Sequence, residues 1–249
     1  MAGPLIEVDD LWKSFGRVQA IRGLCLRLES GQIHGLLGPN GSGKTTTLKC
    51  VVGLLKPDRG TVKFTGRGIT STAEYKSSLG YLPENPALPD YLTVEEFLVF
   101  SAKLKGLKAE TIRKEVNELL DSFGLVGVSD RLLYELSKGM KQRAAVAASL
   151  IGSPTVLILD EPFNGLDPEA QKTAKDYFNQ VIRKGGAVLI STHLLDSAEK
   201  ICNYASIIYS GKVLHSSSLD SLKQSHDMKS LEEIFLEMIS NRRFDHVDN

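Results

Sequence analysis

Residues 38–45 read Gly-Pro-Asn-Gly-Ser-Gly-Lys-Thr, with four residues between the first glycine and the Gly-Lys-Thr triplet. This pattern constrains the fold more tightly than anything else in the chain. Glycines at these positions let backbone N–H groups turn inward around a di- or triphosphate, because a side chain would block either the φ > 0 geometry or the close approach. Lys44 adds a point charge, and Thr45 stands where a hydroxyl completes the octahedral shell of Mg²⁺. The residues after Thr45 begin a helix whose N-terminus faces the phosphates, and residues 32–37 upstream read as a short buried strand. Strand, loop and helix together predict a nucleoside triphosphate site formed by Gly38, Pro39, Asn40, Gly41, Ser42, Gly43, Lys44, Thr45 and Thr46.

At 249 residues the chain is long enough to bury most of its unfolded surface without covalent staples. Thirty basic and thirty acidic side chains cancel, which argues against a strong field drawing the protein to nucleic acid or anionic lipid. Cys25, Cys50 and Cys202 are odd in number and form no Cys-x-x-Cys pair, so they read as core thiols in a reducing compartment. The first ten residues lack a basic region followed by an apolar stretch, and no cleaved leader is expected. No run approaches the ~20 apolar residues of a spanning helix, so the chain is not expected to cross a membrane itself.

Leu5 to Gly80 carries alternating and β-branched segments, interrupted once by the phosphate loop and its helix, which predicts antiparallel strands flanking a parallel core. From Thr93 to Leu150 the spacing becomes helical. Thr93-x-x-Glu96 forms a capping box, and Ile112, Val116, Leu119, Leu120 and Phe123 share one face. Residues 156–159 and 187–191 return as continuous apolar runs, as strands buried on both faces of a parallel sheet do. The tail ends in an apolar stripe of Met228, Leu231, Ile234, Phe235 and Met238.

The strand at 156–159 ends in Asp160-Glu161. A strand end beside the phosphate loop lets Asp160 hold Mg²⁺ directly or through water, while Glu161, further toward the γ-phosphate, polarises the attacking water. Between the two motifs lies Leu136-Ser137-Lys138-Gly139-Met140-Lys141-Gln142-Arg143, opening a helix that runs to Leu150. At its start, Ser137 and the Gly139 backbone offer hydrogen-bond donors and a positive dipole end to a phosphate; the alternative is an ordinary helix cap by Ser137. Lys138, Lys141 and Arg143 otherwise read as a solvated helix face.

Here the chain resembles an ATP-binding cassette ATPase, whose signature Leu-Ser-Gly-Gly-Gln is matched at Leu136, Ser137 and Gly139 and departs at Lys138 and Met140. The family's remaining motifs follow in order: Phe15 as the aromatic before the first glycine, Gly165-Leu166-Asp167 as the D-loop, and His193 as the switch histidine. The resemblance implies that Phe15 stacks on adenine, that His193 reaches the γ-phosphate or the attacking water, and that Asp167 belongs to the D-loop. It further implies that two cassettes, as homodimer or heterodimer, pair head to tail. Each ATP would then lie between one subunit's phosphate loop and its partner's signature residues Ser137, Lys138, Gly139 and Met140. His34, His215, His226 and His246 have no such context. The family usually carries glutamine where this chain has Glu84, a carboxylate that can ligate Mg²⁺ or orient water.

The expected fold is α/β: a P-loop NTPase (RecA-like) parallel-sheet core with an N-terminal antiparallel β subdomain and an inserted helical subdomain. Residues 1–225 would form the ATPase domain, with the insert at about 86–151, and 226–249 a helical tail. The expected function is the ATPase subunit of a membrane transporter, an exporter by resemblance of its tail, with ATP and Mg²⁺ as cofactors and Glu161, His193 and Lys44 as catalytic residues. It would sit on the cytoplasmic face of the membrane through a separate permease, docked near residues 84–97. The alternative is a soluble cassette ATPase acting on nucleic acid or ribosomes, for which the sequence lacks a basic tail and aromatic-basic interleaving. A small-molecule kinase leaves Ser137, Gly139 and Asp167 unexplained.

Overall fold

The computed structural model describes residues 4–65 and 72–244. Along the chain run β1 (Ile6–Phe15), β2 (Val18–Leu28), β3 (Ile33–Leu37), α1 (Lys44–Val51), β4 (Arg59–Phe64), α2 (Thr72–Ser78) and β5 (Leu79–Leu82). Then come α3 (Val94–Leu104), α4 (Ala109–Ser122), α5 (Lys138–Leu150), β6 (Val156–Asp160) and α6 (Pro168–Arg183). The chain closes with β7 (Ala187–Thr192), α7 (Leu195–Glu199), β8 (Tyr204–Tyr209), β9 (Lys212–Ser218), α8 (Leu219–Gln224) and α9 (Leu231–Phe244). Two compact units result: residues 1–67 with 189–249, and residues 68–188. His246 lies outside the described residues.

In the first unit, β1 pairs antiparallel with both β2 and β4, so alternate side chains such as Leu24, Leu26 and Leu28 turn inward. The same unit holds β3 parallel to β8, with β9 antiparallel on the far side of β8. All five residues of β3 are buried, which explains its unbroken Ile-His-Gly-Leu-Leu run and aims its end at the phosphate loop. His34 on that strand is wholly buried and bonds Ser206 Oγ at 2.8 Å; burial pushes its imidazole down to about 3. The tail also belongs to this unit, where Leu231 and Ile234 are completely buried.

In the second unit β5 runs parallel to β6, and α3 packs on α4 and α5. Thr93 and Glu96 form the reciprocal cap of α3, with Thr93 N bonding Glu96 Oε2 at 2.9 Å and Glu96 N bonding Thr93 Oγ1 at 3.1 Å. The predicted α4 face is buried at Ile112, Val116, Leu119 and Leu120.

Two sequence expectations need correction. α2 interrupts the stretch between Leu5 and Gly80 a second time. It is two turns long and too short to display a helical period. Cys25 is exposed rather than a core thiol, because strand alternation buries Leu24 and Leu26 and turns the residue between them outward. Cys50 and Cys202 are buried, and burial pushes the Cys202 thiol up to about 12.

Candidate functional site

The phosphate loop sits in the first unit. Gly43 caps α1 at φ 106, and a Cβ there would stand 2.5 Å from the Ala20 carbonyl oxygen, so only glycine fits. The loop is tied down from beneath: Gly38 N donates to Thr192 O at 3.4 Å, and Gly211 N donates to Ser42 O at 2.9 Å. Lys44, 7% exposed, folds back so that Nζ donates to Gly38 O at 2.7 Å and Pro39 O at 3.2 Å. Its ammonium is thereby held over the loop. Ser42 Oγ is buried without a hydrogen-bond partner among the described residues, a costly state that a bound phosphate oxygen would relieve. Asn40 and Gly41 are exposed, and Thr45 and Thr46 are half-buried.

His193 follows the last residue of β7, in a turn where Thr192 Oγ1 accepts the Leu194 N–H at 3.0 Å. Its exposed ring shares a cavity of about 340 Å³ with Gly38, Pro39 and Asn40, so the histidine and the phosphate loop come together. Phe15 does not line that cavity. It stands half exposed at the end of β1, with Lys13 Nζ 5.8 Å from its ring centroid.

The carboxylates and the signature lie in the second unit. Every residue of β6 is buried, and Asp160 and Glu161 are 1% and 5% exposed. Glu161 takes the left-handed conformation at φ 50, which costs of order 1–3 kcal/mol in a non-glycine residue. Tyr81 on β5 buries its hydroxyl without a hydrogen-bond partner among the described residues; burial, then the Asp160 charge, pushes its phenol up to about 12.

Ser137 caps α5, accepting the Met140 N–H at 3.3 Å, while its side chain and Lys138 remain exposed. A Cβ on Gly139 would lie 3.1 Å from Gly165 O, so the signature approaches the D-loop closely. Glu84 is exposed and shares a cleft of about 440 Å³ with Asp90, Lys138, Lys141 and Gln142. The two charged departures from the family pattern, Glu84 and Lys138, therefore line one cleft.

Two residues acquire roles that sequence reading missed. Gln142 is buried, and its amide donates to Pro162 O at 3.4 Å, just past Glu161. Arg143 is not part of a solvated face: its guanidinium bonds Phe123 O at 3.0 Å and the Asp167 carboxylate. Lys141 makes a looser pair with Asp90 at 3.6 Å. Partners 20 and 24 positions away leave no local signal for Arg143.

Known proteins are similar to this chain in sequence and in fold. A family profile described as ABC transporter matches residues 21–164. The chain is 35% identical over 237 residues to the ABC-type transporter ATP-binding protein EcsA of Bacillus subtilis, covering 94% of this chain and 96% of that one. It is 35% identical over 221 residues to Nod factor export ATP-binding protein I of Burkholderia lata, covering 88% and 73%. A solved structure of the ATP-binding subunit of an ABC transporter superposes with a TM-score of 0.87 at 32% identity, covering 94% of this chain and 99% of that one. The chain belongs to the ABC transporter family, as an ATP-binding and ATP-hydrolysing cassette with the P-loop NTPase fold.

The residues present suit both ligands. The Lys44 ammonium held over the loop and the buried Ser42 hydroxyl suit the phosphates of ATP. The described residues hold no cluster of three or more His, Cys, Asp or Glu side chains able to cage a metal. Thr45, in the first turn of α1, offers a hydroxyl and Asp160, the last residue of β6, a carboxylate, each an oxygen donor of the hard type that Mg²⁺ takes.

Proposed function

We propose that this chain is the ATPase subunit of an exporter, pairing head to tail with a second cassette and driving a separate transmembrane permease from the cytoplasmic face. The observation that carries this reading is the signature, an exposed helix N-terminus at Ser137 that adjoins the D-loop through Gly139. Its donors and positive dipole end suit the γ-phosphate held by another subunit's Lys44 loop. Among the described residues no helix is long and apolar enough to cross a membrane. The name of the Nod factor export relative supports the outward direction.

In this reading Phe15 stacks on adenine, and residues 38–46 bind the phosphates. Thr45 and Asp160, with Glu84 from the neighbouring loop, would hold Mg²⁺, whose charge would neutralise the phosphate oxygens. Glu161 polarises the attacking water, and His193 senses the γ-phosphate. Ser137, Lys138, Gly139 and Met140 close over the partner's nucleotide, and Asp167 lies between the two sites.

Purification from gently solubilised membranes tests the reading. A stoichiometric multi-spanning membrane protein is expected to accompany the chain, and recovery with ribosomes or nucleic acid in its place would overturn it.

A further inference from the structure

α7 follows the switch histidine at once and is only five residues long, with no side-chain cap at Leu194. So short a helix has little stability of its own, and its orientation must come from tertiary contacts. One such contact is the carboxylate of Glu199 at its last residue. Glu199 accepts the Lys223 ammonium of α8 at 2.5 Å and the backbone N–H of Leu231, the first residue of α9, at 3.1 Å. Both bonds are charge-assisted, and the second satisfies an orphan donor where the α9 dipole favours negative charge. Together, Lys223 first, they hold the Glu199 carboxyl below the usual range.

α9 is fixed at the same end by buried Leu231 and Ile234 and by Ser230, whose hydroxyl accepts the Glu233 N–H at 3.3 Å. From this anchor its next turns reach the phosphate loop. Phe235 and Leu236 wall the cavity of about 340 Å³ that His193, Leu195, Pro39 and Asn40 also line. The tail thus contributes to the surroundings of the switch histidine.

We propose that Glu199 is a positioning residue for His193: by latching α7 to α8 and α9, it fixes the turn that presents the histidine beside the phosphate loop. The inference rests on the reading of His193 as the switch residue. It makes the C-terminal helix part of the hydrolytic machinery, since displacing α9 from Glu199 would release the histidine while leaving the phosphate loop intact.

The test uses the full chain, with ATP hydrolysis, ATP affinity and thermal midpoint measured for Glu199→Ala, Glu199→Gln, His193→Ala and the double variants. Glu199→Ala is expected to lower kcat about tenfold, with the ATP Kd within about twofold of wild type. Glu199→Gln, which still accepts the Leu231 N–H, should lose only about twofold. On the residual rate of His193→Ala, either Glu199 substitution should have no further effect, because residues acting as a unit are not additive. A folded Glu199→Ala at the wild-type rate, or one lowering the rate equally in the His193→Ala background, would overturn the proposal. Should Glu199→Ala not fold, the same comparison with Glu199→Gln decides by the same criteria. If His193→Ala itself hydrolyses ATP normally, the switch reading falls and the proposal with it. A normal Glu199→Ala beside a crippled His193→Ala removes the proposal alone.

Discussion

Arg143 on the signature helix hydrogen-bonds the carboxylate of Asp167, the D-loop residue that caps α6 by accepting the Ala170 N–H at 2.9 Å. The Ala170 N–H first, and Arg143 after it, hold the Asp167 carboxyl below the usual carboxylate range. The other arm of the guanidinium reaches Phe123 O at 3.0 Å, at the end of α4. One side chain therefore ties the helix that Ser137 caps to the D-loop and to the end of α4.

Cutting this tie should loosen the signature without touching the phosphate loop. Arg143→Met is expected to lower ATP turnover about threefold to tenfold with nucleotide affinity unchanged, and Arg143→Lys should not restore it, because an ammonium lacks the fork that spans two acceptors. Steady-state hydrolysis and equilibrium nucleotide binding check this, and turnover at the wild-type rate in Arg143→Met would remove the coupling.

The parts legible in the sequence were those with local patterns. Gly38 to Thr45, the apolar run before Asp160, the Thr93–Glu96 cap and the α4 face each occupy a short window governed by one rule of spacing. Cys25 was legible too, since its neighbours Leu24 and Leu26 already alternate, whereas the number and spacing of the cysteines say nothing about exposure. What stayed hidden was non-local or conformational. Arg143 finds Asp167 only after the chain has folded, the bond from Glu199 to the Leu231 N–H joins residues 32 apart, and no residue type announces the positive φ of Glu161.

Glu161→Gln keeps volume and hydrogen bonding but loses the charge proposed to polarise the attacking water. Hydrolysis should fall about 10²- to 10⁴-fold while ATP binding persists, so that the ATP-bound dimer accumulates. Single-turnover hydrolysis and size-exclusion chromatography with ATP measure both effects. Hydrolysis at the wild-type rate under saturating nucleotide would sink the assignment.

Glu84 shares its cleft with Lys138, and its carboxylate is a stronger ligand for a hard cation than an amide. Glu84→Gln should raise the Mg²⁺ concentration for half-maximal ATPase activity by about threefold or more. Titration of Mg²⁺ at fixed free ATP checks it; superimposable curves would take Glu84 out of the metal environment.

Burial holds the His34 imidazole at about 3, so the folded state binds fewer protons than the unfolded chain below its ordinary value of 6.5. The stability this group contributes is present above pH 6.5 and is lost as pH falls toward 3, at up to about 1.4 kcal/mol per pH unit. His215, lowered by burial and then by the His226 charge, adds a smaller effect of the same sign. Urea unfolding at pH 7, 6 and 5 should show this slope in the wild type and a flatter one in His34→Gln; equal slopes would show that His34 does not titrate on unfolding.

In the proposed head-to-tail dimer, the phosphate loop of one chain and the signature of another complete a single hydrolytic site. Lys44→Ala and Ser137→Ala damage opposite halves, so each variant alone should be nearly inactive, the first through lost nucleotide binding and the second with monomer binding almost intact. ATP hydrolysis by an equimolar mixture of the two variants is the direct measurement. Recovered activity is expected, because the heterodimer holds one site with Lys44 from one chain and Ser137 from the other; no recovery in a mixture proven to contain heterodimer would contradict the composite site.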